Sequence, residues 1–202
     1  MTQDADPRAV LRTTSRARRA ALTAGERILA SQALVTSLER IPEFLTDRRI
    51  AGYWAVSGEL PLAALIQGLR ERDQTYHLPI VGADRQLMFA PWRPGAEIAM
   101  NRYGIPEPVV PTAELLAPAA MDLVLLPVLG FDRRGLRLGA GGGYYDRSFD
   151  FLLGRDAPRR PLLVGIAYAM QEVPVIEAMP WDVRLDYVAT EDGLIDCAPV
   201  AS

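Results

Sequence analysis

The chain reads as an α/β protein, a single three-layer α/β/α domain over residues 1–202 built on a mostly parallel, Rossmann-like sheet. Three observations predict this. Short apolar runs rich in branched and aromatic residues, at 49–56, 121–130 and 160–168, alternate with longer segments of helical character. The 202 residues suffice for one sizeable core and nothing in them forces a second. No repeat, linker or low-complexity tract interrupts the alternation.

Taken in order, residues 8–22 predict a helix on which Arg8, Arg12, Arg16 and Arg19 recur every three or four positions and so share a face. Such a stripe is either a solvated face or a set of cations of which Arg8 or Arg12 folds onto a phosphate. Thr23-Ala-Gly-Glu26 matches a capping box and starts a second helix, which Ile41-Pro42 ends near Arg40. Both helices, 8–40, are expected to pack on the domain. Residues 49–56 form the first strand and turn at Ser57-Gly58, which puts Glu59 just beyond its C-terminal end. In an open parallel sheet such loops line the ligand crevice, so Glu59 is a candidate to accept N–H donors, with an ordinary exposed carboxylate equally compatible. A helix follows over 61–72 with Pro61 in its first turn.

Residues 74–81 predict a second strand, and His77 within it is expected to be packed or hydrogen-bonded rather than reactive. Residues 85–92 suggest a shorter antiparallel strand. The proline-interrupted stretch 101–108 reads as a loop able to lie over a pocket, with Tyr103 free to stack on a flat ring. After the buried strands at 121–130 and 160–168, residues 181–190 carry Asp182 and Asp186 into a last strand.

Composition excludes several chemistries. One cysteine, Cys197, and one histidine, His77, leave no internal disulfide, no thiolate-clustered zinc site and no multi-histidine metal site. All 22 basic residues are arginines, so neither a Schiff base nor a phosphate-loop lysine is available. The net charge of −3 gives no global pull toward nucleic acid, and no run approaches the ~20 apolar residues of a membrane span. A cytoplasmic, monomeric protein without nucleic-acid or membrane partners is the expectation.

The chemistry concentrates in Arg137-Leu-Gly-Ala-Gly-Gly-Gly-Tyr-Tyr-Asp-Arg147. Its four glycines, Gly139, Gly141, Gly142 and Gly143, free the backbone to turn N–H groups outward, and an apolar segment suited to a helix follows. The dinucleotide fingerprint fails because Tyr144 stands where a third glycine is required, and a Walker loop fails for want of lysine. A nucleoside triphosphate with magnesium suits what remains: arginines and N–H groups for phosphate oxygens, Asp146 and Asp182 as hard oxygen ligands. Structural pairing of Asp146 with Arg137 or Arg147 is equally compatible with the spacing.

The longer run Phe131-Asp-Arg-Arg-Gly-Leu-Arg-Leu-Gly-Ala-Gly-Gly-Gly-Tyr-Tyr-Asp-Arg147 closely resembles the signature of the 5-formyltetrahydrofolate cyclo-ligase family. The resemblance extends over nearly the whole chain through Arg8-x-x-Leu-Arg12, Gly58-Glu59-Leu60, Leu78-Pro79, Asn101-Arg-Tyr-Gly-Ile-Pro-Glu-Pro108 and Trp181-Asp-Val. It implies ATP- and Mg²⁺-dependent closure of 5-formyltetrahydrofolate to 5,10-methenyltetrahydrofolate, with phosphorylation of the formyl oxygen and release of ADP and phosphate. Carried across, ATP would be held by Arg8, Arg12, Arg137, Leu138, Gly139, Ala140, Gly141, Gly142, Gly143, Tyr144 and Tyr145. Glu59, Tyr103 and the segment Gly141, Gly142, Gly143, Tyr144 would face the folate, Asp146 and Asp182 would hold magnesium, and Arg137 and Tyr144 would act on the transferring group. Relatives usually carry lysine where this chain has Arg8. A sugar-phosphate isomerase on a similar fold and a non-catalytic nucleotide- or RNA-binding module are the competing readings.

Overall fold

The computed structural model describes residues 6–154 and 160–197, so the domain span and the chain start read from sequence extend past the described residues. The chain enters through α1 (Pro7–Ala20), α2 (Ala24–Leu38) and a short α3 (Pro42–Thr46). There follow β1 (Arg49–Ala51), α4 (Ala63–Glu71), β2 (Thr75–Val81), β3 (Leu87–Pro91), and the pair β4 (Ile98–Met100) and β5 (Pro106–Pro108). The second half holds β6 (Leu123–Pro127), β7 (Gly130–Phe131), β8 (Arg137–Leu138), α5 (Tyr144–Ser148), β9 (Leu162–Ile166), β10 (Tyr187–Thr190) and β11 (Gly193–Asp196).

Local chemistry sets the helix starts. The Asp6 side chain accepts from the Arg8 N–H at 3.0 Å, and Pro7, which has no N–H to satisfy, occupies the first turn of α1. The predicted capping box opens α2: Glu26 N–H donates to Thr23 Oγ1 at 3.2 Å while Thr23 N–H donates to Glu26 Oε2 at 2.7 Å.

The seven-stranded sheet has the order β11-β10-β9-β6-β1-β2-β3. Its five inner strands run parallel, and only the edge strands β3 and β11 are antiparallel. From β1 the chain winds outward to β2, and from β6 it winds the other way to β9 and β10. The β1–β6 boundary is therefore the switch point, where connecting segments diverge and open a crevice beyond the strands' carboxyl ends.

Alternation along β6 divides the core. Leu123 and Leu125 meet Leu34, Leu38, Leu65 and Leu69 of α2 and α4, each such leucine contributing roughly 1.5–3 kcal/mol through burial. Val124 and Leu126 face the opposite way, onto Phe149, Leu152, Val183 and Leu185. That second layer is thinner than the first, with the five-residue α5, a 3-10 turn at Asp150–Leu152 and an extended segment doing the covering. No helix among the described residues is long and apolar enough to cross a membrane.

Several elements depart from the sequence-based bounds. The first strand was expected over 49–56, yet pairing stops at Ala51 because the Tyr76 side chain takes over the next backbone groups. Its hydroxyl accepts from Tyr53 N–H at 3.1 Å and lies 3.2 Å from the Tyr53 carbonyl, to which it donates. Gly52 permits this approach, since a Cβ there would lie 2.1 Å from the Tyr76 hydroxyl oxygen. The stretch 101–108 is not wholly loop. Its last three residues pair with 98–100 as a hairpin, with Asn101 Oδ1 accepting from Tyr103 and Ile105 N–H at its tip. The strand at 121–130 is interrupted after Pro127, and the helix expected at 61–72 begins two residues later, at Ala63.

Gly52→Ala is expected to destabilise the protein by about 2 kcal/mol or more, because buried Tyr76 has no room to retreat without losing both backbone bonds. Urea unfolding of the two proteins side by side checks this, and the pairing of Gly52→Ala with Tyr76→Phe should relieve little of the loss.

Candidate active site

Two segments flank the switch-point crevice: the turn after β1 that carries Glu59, and the glycine loop after β8. The loop's conformation follows from its residues. Gly141 (φ 105°) and Gly143 (φ 69°) lie in the left-handed region, where a side chain is strained, and they reverse the chain between β8 and α5. Helix α1 then fixes which way the peptide groups face. Arg8 Nη2 donates to the Arg137 carbonyl at 3.4 Å, Arg12 Nε to the Gly139 carbonyl at 3.2 Å, and Arg16 Nη2 to the Ala140 carbonyl at 3.0 Å. Arg147 takes the Gly142 carbonyl at 2.9 Å. With these carbonyls occupied, the backbone N–H groups from Gly139 to Gly143 meet no acceptor among the described residues. A run of outward donors on glycines is an anion cradle. A helix dipole adds little to it, since α5 lasts only five residues before Phe149 leaves helical geometry. The arginine stripe is thus not a plain solvated face, because three of its four members bond the loop.

Beneath the loop, four charges alternate. Arg8 grips Asp182 with both terminal nitrogens, at 3.2 and 3.1 Å, and Asp182 Oδ2 also accepts from Met179 N–H at 2.9 Å. Arg137, 7% exposed, donates to Asp146 Oδ1 at 2.6 Å and to the Val183 carbonyl. Asp146 Oδ1 is also 3.4 Å from Val183 N–H, which donates to it, so the two carboxylates belong to one connected network. Burial lowers the Arg137 pKa and the Asp146 charge opposes that shift. Asp146 Oδ2 has no partner among the described residues and could take a hard cation, whereas both Asp182 oxygens are engaged by Arg8. No cluster of three or more candidate metal ligands occurs among the described residues.

The remaining site candidates divide between rim and scaffold. Leu138 is buried and its carbonyl accepts from Leu129 N–H at 2.7 Å, so it anchors the loop from below. Tyr144 and Tyr103 join through hydroxyls 2.5 Å apart and an edge-on ring contact, which ties the 98–108 hairpin to the glycine loop. The Tyr103 hydroxyl and then Arg102 lower the Tyr144 pKa. Tyr145 stacks on Phe149, and burial raises its pKa. Glu59 accepts from Val56 N–H at 3.0 Å within a turn that holds Ser57 at a left-handed φ of 50°. Burial raises the Glu59 pKa, against the pull of that N–H and of Arg19.

Arg19 lies near Glu59, Arg27 lies against Gly58, and Tyr168 lies near both arginines; each has a buried polar atom that lacks a partner, and sequence reading gave none of them a ligand role. The helical spacing had placed Arg19 on the stripe, whereas nothing local marks Arg27 or Tyr168. His77 lies on β2 with its ring bonded to the Thr75 carbonyl at 3.0 Å and its pKa lowered by burial, away from this chemistry as expected. Burial pushes the Cys197 thiol up to about 12, leaving it unreactive.

Comparison with known proteins bears on this geometry. A family model described as the 5-formyltetrahydrofolate cyclo-ligase family matches residues 4–191. The 5-formyltetrahydrofolate cyclo-ligase of Haemophilus influenzae is 32% identical over 87% of this chain and 92% of its own length, and that of Escherichia coli K12 is 30% identical over 87% and 95%. The solution structure of Aquifex aeolicus 5,10-methenyltetrahydrofolate synthetase superposes with a TM-score of 0.80 at 28% identity, covering 96% of this chain and 95% of that one.

The raised Glu59 pKa makes a signed prediction. Above the raised value the buried carboxylate is charged and lowers stability. As pH falls through that value the folded state takes up the proton, and below the ordinary glutamate value the penalty is gone. Glu59→Gln is therefore expected to be more stable than the parent at pH 8, with the difference closing by about pH 4; denaturant midpoints of both proteins at the two pH values measure it.

Proposed function

The chain belongs to the 5-formyltetrahydrofolate cyclo-ligase family and is a carbon–nitrogen bond-forming ligase of that family, and from this premise we propose how its crevice carries out the reaction. The substrates are 5-formyltetrahydrofolate and ATP, the products 5,10-methenyltetrahydrofolate, ADP and phosphate. The observation that carries the reading is the glycine loop, whose carbonyls are bonded by arginines and whose N–H groups face outward beside a metal-ready carboxylate.

The formyl oxygen of an amide is a poor leaving group. Transfer of the γ-phosphoryl group to it, with ADP departing, converts it into a good one. The neighbouring substrate amine then attacks the formyl carbon, phosphate leaves with the oxygen, and the amine proton is lost, closing the ring. Such transfer needs positioning and charge neutralisation more than a protein nucleophile, which accords with a site that offers arginines and N–H donors but no reactive serine or cysteine.

In this scheme the N–H groups of Gly139 to Gly143 cradle the phosphates. Arg12 is anchored through Nε and keeps its terminal amino groups for phosphate oxygens. Arg8 exchanges Asp182 for phosphate, a substitution its forked geometry allows. Asp146 would hold Mg²⁺, with Asp182 available as a second ligand were Arg8 drawn away to phosphate; a bound cation there would neutralise charge on the phosphate oxygens. Arg137 orients Asp146 from below and lends its charge to the transferring group through that pair. Glu59, Tyr103 and Tyr144 line the side that receives the folate, where the paired tyrosines limit water access.

Purified protein with 5-formyltetrahydrofolate and Mg²⁺ should gain methenyl absorbance only when ATP is added; the absence of an ATP-dependent rise would overturn the assignment. Arg137→Lys, which keeps the buried charge while losing the fork to Asp146 and Val183, should remain folded and lose about 100-fold or more in turnover. Near-normal turnover would remove Arg137 from the machinery.

A further inference from the structure

The arginine stripe of α1 divides into two kinds of residue. Arg8, Arg12 and Arg16 bond the glycine loop. Arg19, one turn further on, is only 5% exposed, yet its Nε is buried without a partner and its guanidinium makes no hydrogen bond or ion pair with any described residue. Its surroundings repeat the pattern. Arg27, whose Nη2 donates to the Arg19 carbonyl at 3.4 Å, also has a buried, unpartnered Nε and lies across Gly58, where a Cβ would come within 3.3 Å of it. The Tyr168 hydroxyl, just past β9, is likewise buried and unpartnered.

Opposite these donors stands Glu59. One oxygen accepts from Val56 N–H, and the other has no partner among the described residues. Arg19 and Glu59 feel each other's charge, yet they form no direct ion pair. A buried guanidinium and a half-buried carboxylate gain from meeting, and leaving both incomplete is costly. Their separation means that a third group completes them: one that presents an acceptor to Arg19 and N–H donors to Glu59.

We propose that Arg19 and Glu59 read the two parts of one flat hydrogen-bonding edge, the 2-amino-4-oxo-pyrimidine end of the folate, with Arg19 donating to the 4-oxo oxygen and Glu59 accepting from the ring N–H and the 2-amino group. The assignment rests on the folate reading of the crevice and adds a specificity-determining residue to it. The chemistry is directional. Exchange of the 4-oxo group for a 4-amino group turns the acceptor facing Arg19 into a donor and replaces the ring N–H facing Glu59 by a lone pair. A 2,4-diamino ring therefore sets two donors against each other at Arg19 and two acceptors against each other at Glu59. A site built to hydrogen-bond one group rejects the analogue that cannot return the bond, because its own buried polar group is left unpaired.

The test compares 5-formyltetrahydrofolate with its 2,4-diamino counterpart as a competitor, in wild-type protein, Arg19→Met and Arg19→Lys. Wild type should prefer the 4-oxo compound by at least roughly 10–100-fold, the range of the one hydrogen bond from charged Arg19, to which the lost ring N–H at Glu59 adds. Arg19→Met should raise KM for the formyl folate by a similar factor, leave KM for ATP within about two-fold, and cut the oxo-to-diamino preference by that same factor, leaving only the share that the ring N–H supplies at Glu59. Arg19→Lys should recover part of the preference. A lowered melting temperature and kcat with the wild-type preference intact would make Arg19 a helix-packing residue and overturn the inference, leaving the reaction assignment standing. Should Arg19→Met not fold, wild type alone decides through the melting-temperature shift each compound produces, and equal shifts overturn the inference. Failure of the wild-type protein to convert the formyl folate with ATP would instead sink the reaction assignment beneath it.

Discussion

Everything in the crevice depends on the way α1 holds the carbonyl side of the glycine loop. Glycines alone give a chain that can face its N–H groups anywhere, and that freedom is lost on folding at an entropic cost. Arg8, Arg12 and Arg16 remove it by bonding three successive stretches of loop carbonyl from a single helix face. Each bond is modest by itself, since exposed arginine contacts contribute little. Together they select one orientation of the loop, so the donors are in place before any anion arrives. Pre-organisation of this kind is where positioning catalysis gains most.

The same helix links the two halves of the site. Its first turns bond the loop that follows β8 and its last turn carries Arg19 beside the Glu59 turn that follows β1, so one rigid element spans both sides of the switch point. Stability is given up there. Arg19, Arg27 and Tyr168 keep buried donors without partners, Glu59 is a carboxylate held partly out of water, and Ser57 sits in a strained backbone region. Unsatisfied polar groups of this density at the carboxyl ends of a parallel sheet mark a surface shaped for a ligand. By contrast, the hydrophobic clusters on the two sheet faces carry ordinary apolar packing.

Much of this was legible along the chain because it is encoded locally. The capping box at Thr23 and Glu26, the buried strands at 123–127 and 162–166, the antiparallel pairing of 87–91 and the position of Glu59 past β1 follow from spacing and residue type. Where the reading missed, a distant side chain had replaced local geometry. Tyr76 ends β1 early by supplying a hydroxyl in place of a strand partner, and Asn101 closes a hairpin in a stretch whose prolines suggested only loop. The helix after the glycine loop proved too short for its dipole to matter, which passes the work of anion recognition to individual N–H groups.

The sequence by itself determined the alternating α/β architecture, the absence of a disulfide, of clustered thiolate or imidazole metal sites and of lysine chemistry, and the identity of the glycine loop, since each resides in composition or in contiguous residues. Only the tertiary structure decided what the charges do. Arg8 with Asp182 and Arg137 with Asp146 are far apart or unremarkable in the chain, and they become one alternating network because β8, α5, α1 and the 179–183 segment converge at one end of the sheet. The same convergence leaves Arg19 unpaired beside Glu59, for whether two charges meet depends on where the fold sets their backbones, and residue spacing carries no record of that distance.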